Sequence, residues 1–316
     1  MRIVIPGGGG HLGQLVARSL QQEGHEVVVL SRSPAAMSFG RTVNWDGASQ
    51  GAWTQEIDGA DVVLNLAGRS VDCRYNASNR REIMDSRILS TRAVGEAIAR
   101  AERPPRLWLQ MSTATIYSHR YDAPNDETCG ILGGDEPDVP ETWRFSIDVA
   151  KSWEQAALEA ASPHTRLVLL RTAMVMSAEP GGVFSVLLGL VRKALGGRAG
   201  DGRQFVSWIH EADFLSALRW LIDHDFEGPV NLSAPSPLPN AEFMAALRKA
   251  SNTTVGLPAS RWMLGIGAFF MRTETELILK SRRVVPGRLL ASGFQFQFPT
   301  WPDAAADLCT RFFAKR

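Results

Sequence analysis

The stretch that decides the fold is Ile3-Val4-Ile5-Pro6-Gly7-Gly8-Gly9-Gly10-His11-Leu12-Gly13, IVIPGGGGHLG, at the start of the chain. Four consecutive glycines suit either a flexible linker or a backbone that passes very close to something else. Position separates the two. Ile3 to Ile5 is a short, apolar, β-branched run of the kind a buried strand uses. Behind the glycines, Leu12, Leu15, Val16, Ser19 and Leu20 fall on one helical face, and Gly24 stands where that helix ends. Val27 to Leu30 reads as a second buried strand. Strand, tight turn, helix and strand within about thirty residues make a βαβ unit, and a linker has no place inside one.

The spacing Gly7-x-x-Gly10-x-x-Gly13 then acquires a meaning. Glycine at the turn permits a left-handed backbone, glycine without Cβ lets the chain touch a pyrophosphate, and the third glycine lets helix and strand pack closely. The helix start, at His11, Leu12 and Gly13, offers free amides and the positive end of a dipole to the phosphates. The alternative is a plain tight turn. NAD-selective folds place Asp or Glu at the end of the second strand, to hold the ribose 2′-hydroxyl. Here the residues are Ser31-Arg32-Ser33, with no acid. Arg32 suits a 2′-phosphate and stacking on adenine, so the expected cofactor is NADP(H); the bland reading of Arg32 is a solvated loop arginine.

Working outward, the alternation continues. Asp61 to Leu66 is strand-like, Asn79 to Ala101 is helical with Ile83, Arg87, Thr91, Val94 and Ile98 along one side, and Pro104-Pro105 stops it. Leu107 to Met111 is a strand, Asp148 to Ala161 a helix and Leu167 to Leu170 a strand. Continuous apolar strands alternating with helices predict an α/β fold, a doubly wound parallel sheet of Rossmann type covered on both faces. Past Arg171 come Gly-rich loops, a helix from about Glu211 to Asp223, a helix from Asn240, read as its cap, to Ala250, and an alternating run, Phe294 to Phe298 (FQFQF), that reads as a strand. The expected division is a dinucleotide-binding domain over 1–172, with 213–234 returning to it, and a smaller, mostly helical substrate domain over 173–212 and 235–316.

Composition narrows the classes. The 316 residues are 45% hydrophobic with a formal net charge of +1, enough for a sizeable core and without the clustered Lys and Arg of a nucleic-acid footprint. Three scattered cysteines, Cys73, Cys129 and Cys309, suggest reduced thiols and a cytoplasmic setting. The longest greasy stretch, Trp262 to Met271, is about half of a bilayer crossing, so no membrane partner is expected. The six histidines show no metal-ligand spacing, so no metal site is expected either.

Taken together, these residues resemble an extended short-chain dehydrogenase/reductase of the NAD-dependent epimerase/dehydratase superfamily. The resemblance narrows to an atypical, YfcH-like branch with its own C-terminal domain of unknown function. It is carried by Asn65-Leu66-Ala67-Gly68 (NLAG), Asp85-Ser86-Arg87-Ile88 (DSRI), Leu170-Arg171-Thr172, Gly202-Arg203-Gln204 with Ser207-Trp208-Ile209-His210, Gly228-Pro229-Val230-Asn231, Asn240 to Phe243 and Leu289 to Phe294. It implies that Asn65, Ala67 and Gly68 border the cofactor. Working members use a Ser or Thr, a Tyr, and a Lys four residues after the Tyr. The matching residues are Thr113, Ile147 and Lys151. Lysine is in place, for the nicotinamide ribose, but Ile147 holds the tyrosine position and cannot exchange a proton. Tyr117 is the candidate replacement; its bland reading is a partly buried tyrosine bonding a backbone carbonyl, and that of Lys151 is an exposed helix lysine.

In the Gly-rich loop, Arg203 and Gln204 are candidate contacts to a substrate phosphate or carboxylate. His210-x-x-Asp213 reads as structural, and Trp153, Trp208 and Trp220 as core. The resemblance also implies a possible homodimer through the helices at Asn79–Ala101 and Asp148–Ala161. The expected function is an NADP(H)-dependent oxidoreductase or epimerase acting on a small polar carbonyl or sugar-like substrate. The competing class is a non-catalytic NADP(H)-binding sensor, for which the missing tyrosine is the motive.

Overall fold

The structure, a computed structural model, describes residues 1–33, 39–137, 139–260 and 276–315. Its frame is a seven-stranded sheet formed by β1 (Arg2–Pro6), β2 (Glu26–Ser31), β3 (Arg41–Asn44), β4 (Val62–Asn65), β5 (Leu107–Thr113), β6 (Arg166–Thr172) and a last strand at Gly228–Leu232. The spatial order runs last strand, β6, β5, β4, β1, β2, β3, and every pairing is parallel. Chain order reverses between β1 and β4, which opens a crevice at the carboxyl ends of those strands, where such sheets hold ligands.

Both faces are covered, which is why the strands read as apolar runs rather than alternating ones. On one face Ile3, Ile5, Val27, Val29 and Leu64 pack with Val16 and Leu20 of α1 (His11–Gln22). On the other, Val4, Val28, Val63 and Trp108 pack with Val94 and Ile98 of α2 (Ala77–Arg100) and Ala157 of α3 (Glu141–Glu159). Gly24, with φ +82°, follows α1 as expected of a helix end.

Beyond β6 come β7 (Met174–Met176), α4 (Val183–Arg192), β8 (Phe205–Val206), β9 (Trp208–His210) and α5 (Glu211–Asp223), then the seventh sheet strand, β10. These are followed by β11 (Leu238–Pro239), α6 (Asn240–Ala250), α7 (Glu276–Leu279), α8 (Gly287–Ala291) and α9 (Trp301–Ala314). Phe214, Ala217 and Leu221 of α5 join the core of the sheet, whereas Phe184, Leu188, Trp208, Phe243, Trp301 and Leu308 form a separate core between α4, α6 and α9. His210 caps α5 through Nδ1, which accepts the Ala212 amide at 3.0 Å, and its Nε2 lies 3.0 Å from Asp307.

Two expectations are corrected. The FQFQF run alternates in burial but forms no strand. The amides of Gln297 and Phe298 instead donate to the two carboxylate oxygens of Asp213, at 2.7 and 2.9 Å, so a side chain takes the place of a neighbouring strand. Asn240 is the first residue of α6 rather than its cap, and its Oδ1 accepts the Ala199 amide at 2.8 Å, pinning the Gly-rich loop. Trp153 and Trp208 are buried as expected; Trp220 is half-buried and stacks on His224 at 3.7 Å. Trp262 to Met271 lies outside the described residues.

Candidate cofactor site and active site

Each glycine of the opening turn has a different neighbour. At Gly7, φ is +75° and an added Cβ would sit 2.4 Å from the Ala67 Cα. At Gly13 it would sit 2.3 Å from the Gly8 carbonyl oxygen. Both positions exclude any side chain, because the obstruction is backbone that cannot swing away. At Gly10 an added Cβ meets nothing within 4 Å. Gly10 is the N-cap of α1, with φ −77° and ψ 172°, a conformation open to any residue. Its freedom from a side chain is therefore not needed by the fold, and it leaves open space over the helix start.

The start of that helix leaves its first amides without a described side-chain partner. No side chain caps α1 and no acidic residue stands in its first turn. The first helical bond runs from the Gln14 amide to the Gly10 carbonyl, at 2.9 Å, so the amides of His11, Leu12 and Gly13 precede it. The Gly7 amide donates to the Leu30 carbonyl at 2.9 Å, which brings Ser31 and Arg32 alongside the turn. Arg32 is exposed and makes no ion pair with any described residue. A cavity of about 370 Å³ adjoins, lined by His11, Gln14, Arg18, Phe39, Glu179 and Gly181. The His11 Nε2 is buried there without a partner among the described residues, next to Gly182. The donor set fits a dinucleotide diphosphate.

The strand-end motif after β4 has a narrower role than expected for one member. Asn65 is fully buried; its Nδ2 donates to Gln110 at 2.9 Å and its Oδ1 accepts the Ala67 amide at 3.1 Å. Its side chain shapes the turn, and both of its polar ends hold protein partners. Ala67 abuts Gly7, and Gly68 is exposed at the crevice.

Thr113 ends β5, and its Oγ1 accepts the Thr115 amide at 3.2 Å. Ile147 and Lys151 lie one turn apart on α3. Ile147 is wholly buried under Gly133 and Gly134; a Cβ on Gly133 would be 2.8 Å from its Cδ1. Lys151 is about a third exposed, with Nζ 3.9 Å from Asp135. A cavity of about 340 Å³ beside it is lined by Gly134, Asp135, Glu136, Arg144, Asp148 and Lys151.

Tyr117 does not reach this cavity. Its ring is buried, its hydroxyl donates to Asn231 Oδ1 at 2.9 Å and accepts from an Arg171 Nη at 2.9 Å. Burial pushes its pKa up, against the nearby Arg171 guanidinium. A phenol holding two buried partners is a structural group, and its candidacy as proton donor is corrected on that ground. Arg171 in turn makes a bidentate pair with Glu154 at 2.9 and 2.8 Å, and Ser112 donates to Glu154 at 2.6 Å. Arg171 stands inside an apolar strand, and an arginine in that setting is itself the sequence signal for a buried partner.

Of the substrate-loop candidates, Gln204 is buried. It donates to the carbonyls of Ala199 and Ile278, at 3.0 and 3.2 Å, so it holds the loop rather than a ligand. Arg203 is exposed, with its guanidinium carbon 5.8 Å from the Tyr121 ring centre. Unforeseen was a polar cluster that the C-terminal segment drives against the strand end. Glu276 pairs with Arg282 at 3.0 Å and accepts from Ser146 at 2.6 Å, Arg282 Nε donates to Thr115 Oγ1 at 3.2 Å, and Lys280 Nζ donates to the Thr115 carbonyl at 2.7 Å.

A parallel sheet with an open glycine turn at its switch point defines a dinucleotide-binding protein of the Rossmann class. Comparison with known sequences gives the family. The profile described as "NAD dependent epimerase/dehydratase family" matches residues 3–233, and a "Domain of unknown function (DUF1731)" matches residues 259–308. The chain belongs to the NAD-dependent epimerase/dehydratase family. It is 31% identical to the human epimerase family protein SDR39U1, with 95% of this chain and 96% of that protein covered. It is 32% identical to the epimerase family protein ML0860 of Mycobacterium leprae, covering 98% and 96%. Among solved structures it is similar to human SDR39U1 (isoform 2) with NADPH, at a TM-score of 0.85 and 29% identity, covering 98% of this chain and 99% of that one. It is also similar to a nucleoside-diphosphate sugar epimerase from Corynebacterium glutamicum, at a TM-score of 0.73 and 26% identity, covering 98% and 58%. No described helix is long and apolar enough to cross a membrane.

Proposed function

We propose that the protein binds NADP(H) and acts as an oxidoreductase or epimerase on a small polar carbonyl or sugar-like substrate. The observation that carries this is the uncapped start of α1 beneath Gly10, next to an exposed Arg32 where an NAD-selective fold places an acid. The NADPH in the human SDR39U1 structure supports the choice of cofactor. Bound there, the nicotinamide supplies or accepts hydride. The first-turn amides of α1 hold the diphosphate, and Arg32 offers its guanidinium to the 2′-phosphate. Lys151 presents an ammonium beside the cavity under Gly134, and Thr113 a hydroxyl at the end of β5, to orient a polar substrate.

A second reading is kept because of one side chain. Ile147 is apolar and buried where the family's working members carry the proton-exchanging tyrosine, and Tyr117 is consumed by Asn231 and Arg171. Loss of a general acid lowers rates by about 10²–10⁴, which suits a protein that binds NADP(H) and reports its state to a partner. One experiment covers both readings. Fluorescence titration should show NADPH binding more tightly than NADH, and a carbonyl panel should then show NADPH oxidation above background. Binding without oxidation selects the sensor; equal or tighter NADH binding overturns the cofactor assignment.

A further inference from the structure

The face of α3 that turns toward the end of β5 is not the one that carries Ile147 and Lys151. A Cβ on Gly134 would lie 3.4 Å from Ile147 Cγ2 and 3.5 Å from Lys151 Nζ, so those two residues face the 133–134 loop. Ala150 is wholly buried and packs with Ala114 and Ile116, in the turn that follows Thr113. Residues four apart share a helix face, so Ser146 stands with Ala150 on the side of α3 that meets the strand end. It is half-buried, one residue before the isoleucine, and carries the hydroxyl that the isoleucine lacks.

Its partner comes from 130 positions along the chain. Ser146 Oγ donates to Glu276 Oε2 at 2.6 Å, the short distance of a hydroxyl bonded to an ionised oxygen. Its other contact, to the Thr142 carbonyl at 3.3 Å, is the ordinary bond of a helix serine to the preceding turn. Glu276 is almost wholly buried, and its Oε1 accepts from Arg282 at 3.0 Å. Arg282 Nε reaches Thr115 Oγ1 at 3.2 Å, and the Thr115 amide donates to Thr113 Oγ1 at 3.2 Å. The network therefore joins two half-buried hydroxyls, Thr113 and Ser146, with the carboxylate buried between them. Among the described residues Lys280 and Tyr75 also face Glu276, and Tyr75 shares a hydrogen bond with Ser146. A hydroxyl, a carboxylate that accepts its proton and a cation that orients the carboxylate make a set able to exchange protons with a ligand.

We propose that Ser146 is the proton-exchanging hydroxyl of the active site, and that the C-terminal segment supplies in Glu276 the carboxylate with which it exchanges. The proposal rests on the enzymic reading above and names the group that Ile147 and Tyr117 fail to provide. In the oxidising direction the substrate hydroxyl gives its proton to Ser146 Oγ as the Ser146 proton passes to Glu276 Oε2. The hydrogen on the carbinol carbon leaves as hydride for the nicotinamide of NADP⁺, and the carbon–oxygen bond becomes a carbonyl. Reduction runs the same transfers backward, with the protonated Glu276 carboxyl restoring the Ser146 proton as Ser146 gives its own to the new alkoxide.

The test uses the full chain as wild type, Ser146→Ala, Ser146→Thr and Glu276→Gln. NADPH oxidation is followed over a pH series with methylglyoxal, glyceraldehyde and phenanthrenequinone as probe carbonyls, and NADPH affinity by fluorescence. Infrared difference spectra between acid and neutral pH, without cofactor, report the carboxyl of Glu276. Ser146→Ala and Glu276→Gln should each lower turnover by about 10²-fold or more with NADPH affinity unchanged, and Ser146→Thr, which restores the hydroxyl, should recover most of that loss. The wild-type rate of reduction should fall as pH rises, and that fall should be absent in Glu276→Gln. A carboxylic-acid band should be missing from Glu276→Gln and displaced in Ser146→Ala. Should Glu276→Gln fail to fold, Ser146→Ala set against Ser146→Thr decides. Turnover that ignores residues 146 and 276 overturns the proposal alone, as does a Glu276 band that Ser146→Ala leaves in place. A wild type that binds NADPH yet oxidises it with none of the probes overturns the enzymic reading and the proposal together.

Discussion

Replacing Gly10 and Gly13 separately by alanine separates what the fold needs from what a ligand needs. In Gly13→Ala the new methyl lies 2.3 Å from the Gly8 carbonyl oxygen and 2.4 Å from its Cα. Helix and turn must part, at an overpacking cost of about 1–3 kcal/mol. For a domain this large that lowers the melting temperature by roughly 2–4 °C per kcal/mol. In Gly10→Ala the methyl meets no protein atom within 4 Å and the backbone dihedrals already suit alanine. Only a modest capping loss of about 0.5–1 kcal/mol is expected. The same methyl stands in the space above the first-turn amides. Losing one charge-assisted hydrogen bond to a phosphate costs about 1.5–3 kcal/mol, about ten- to a hundredfold in NADPH affinity. Thermal melts and NADPH fluorescence titrations on both variants should therefore give opposite patterns: binding lost with the melt nearly kept at residue 10, the melt lowered at residue 13. A Gly10→Ala protein that binds NADPH as the wild type does would refute the cradle argument.

Arg32→Ala should weaken NADPH by about tenfold, one charge-assisted contact to the 2′-phosphate, and leave NADH unchanged; equal losses for both cofactors, read by the same titration, would place Arg32 elsewhere. Tyr117→Phe strips one partner each from Asn231 and Arg171. It should cost about 1–3 kcal/mol in urea unfolding with NADPH affinity intact, and an unchanged unfolding midpoint would contradict the buried-network reading. Lys280 is almost wholly buried, and desolvation with the adjacent Arg282 draws its pKa down to about 7, against Glu276 and Glu136. Between about 7 and 10.5 the unfolded chain binds the proton that the folded one has lost, so stability rises with pH across that window, by up to about 1.4 kcal/mol per unit. Melts between pH 7 and 9 should rise more steeply in the wild type than in Lys280→Met; parallel curves would remove the assignment.

What was legible in the sequence was what short-range physics decides. The glycine turn, the buried strands and the helices between them follow from local spacing, and the parallel order of the sheet follows from their alternation. The readings that missed all depend on partners far along the chain. Tyr117 looked available because Asn231, 114 positions away, and Arg171, 54 away, were invisible from its own surroundings. FQFQF has the burial rhythm of a strand, yet Asp213, 84 residues earlier, supplies the acceptor for the Gln297 amide. Gln204 sits in a Gly-rich loop that invites a ligand, and the Ile278 carbonyl from the C-terminal segment reaches it first. Residue type shows what a group can do; only the fold shows whether its hydrogen bonds are already spent.

The same accounting bears on the choice between enzyme and sensor. At the tyrosine position the chain has an isoleucine sealed by Gly133 and Gly134, and the C-terminal segment brings Glu276, Lys280 and Arg282 against Thr115 and Ser146, the neighbours of Thr113 and Ile147. A buried, paired cluster of this kind is retained more readily for register than for stability, since an apolar replacement of equal volume is often as stable. Here the register it fixes is that between the C-terminal segment and the two elements that carry Thr113 and Lys151. The C-terminal segment is thus joined to the elements that carry Thr113 and Lys151 through Thr115 and Ser146. Whether that junction orients a substrate or transmits the cofactor's arrival to a partner, the residues that connect the two are the same.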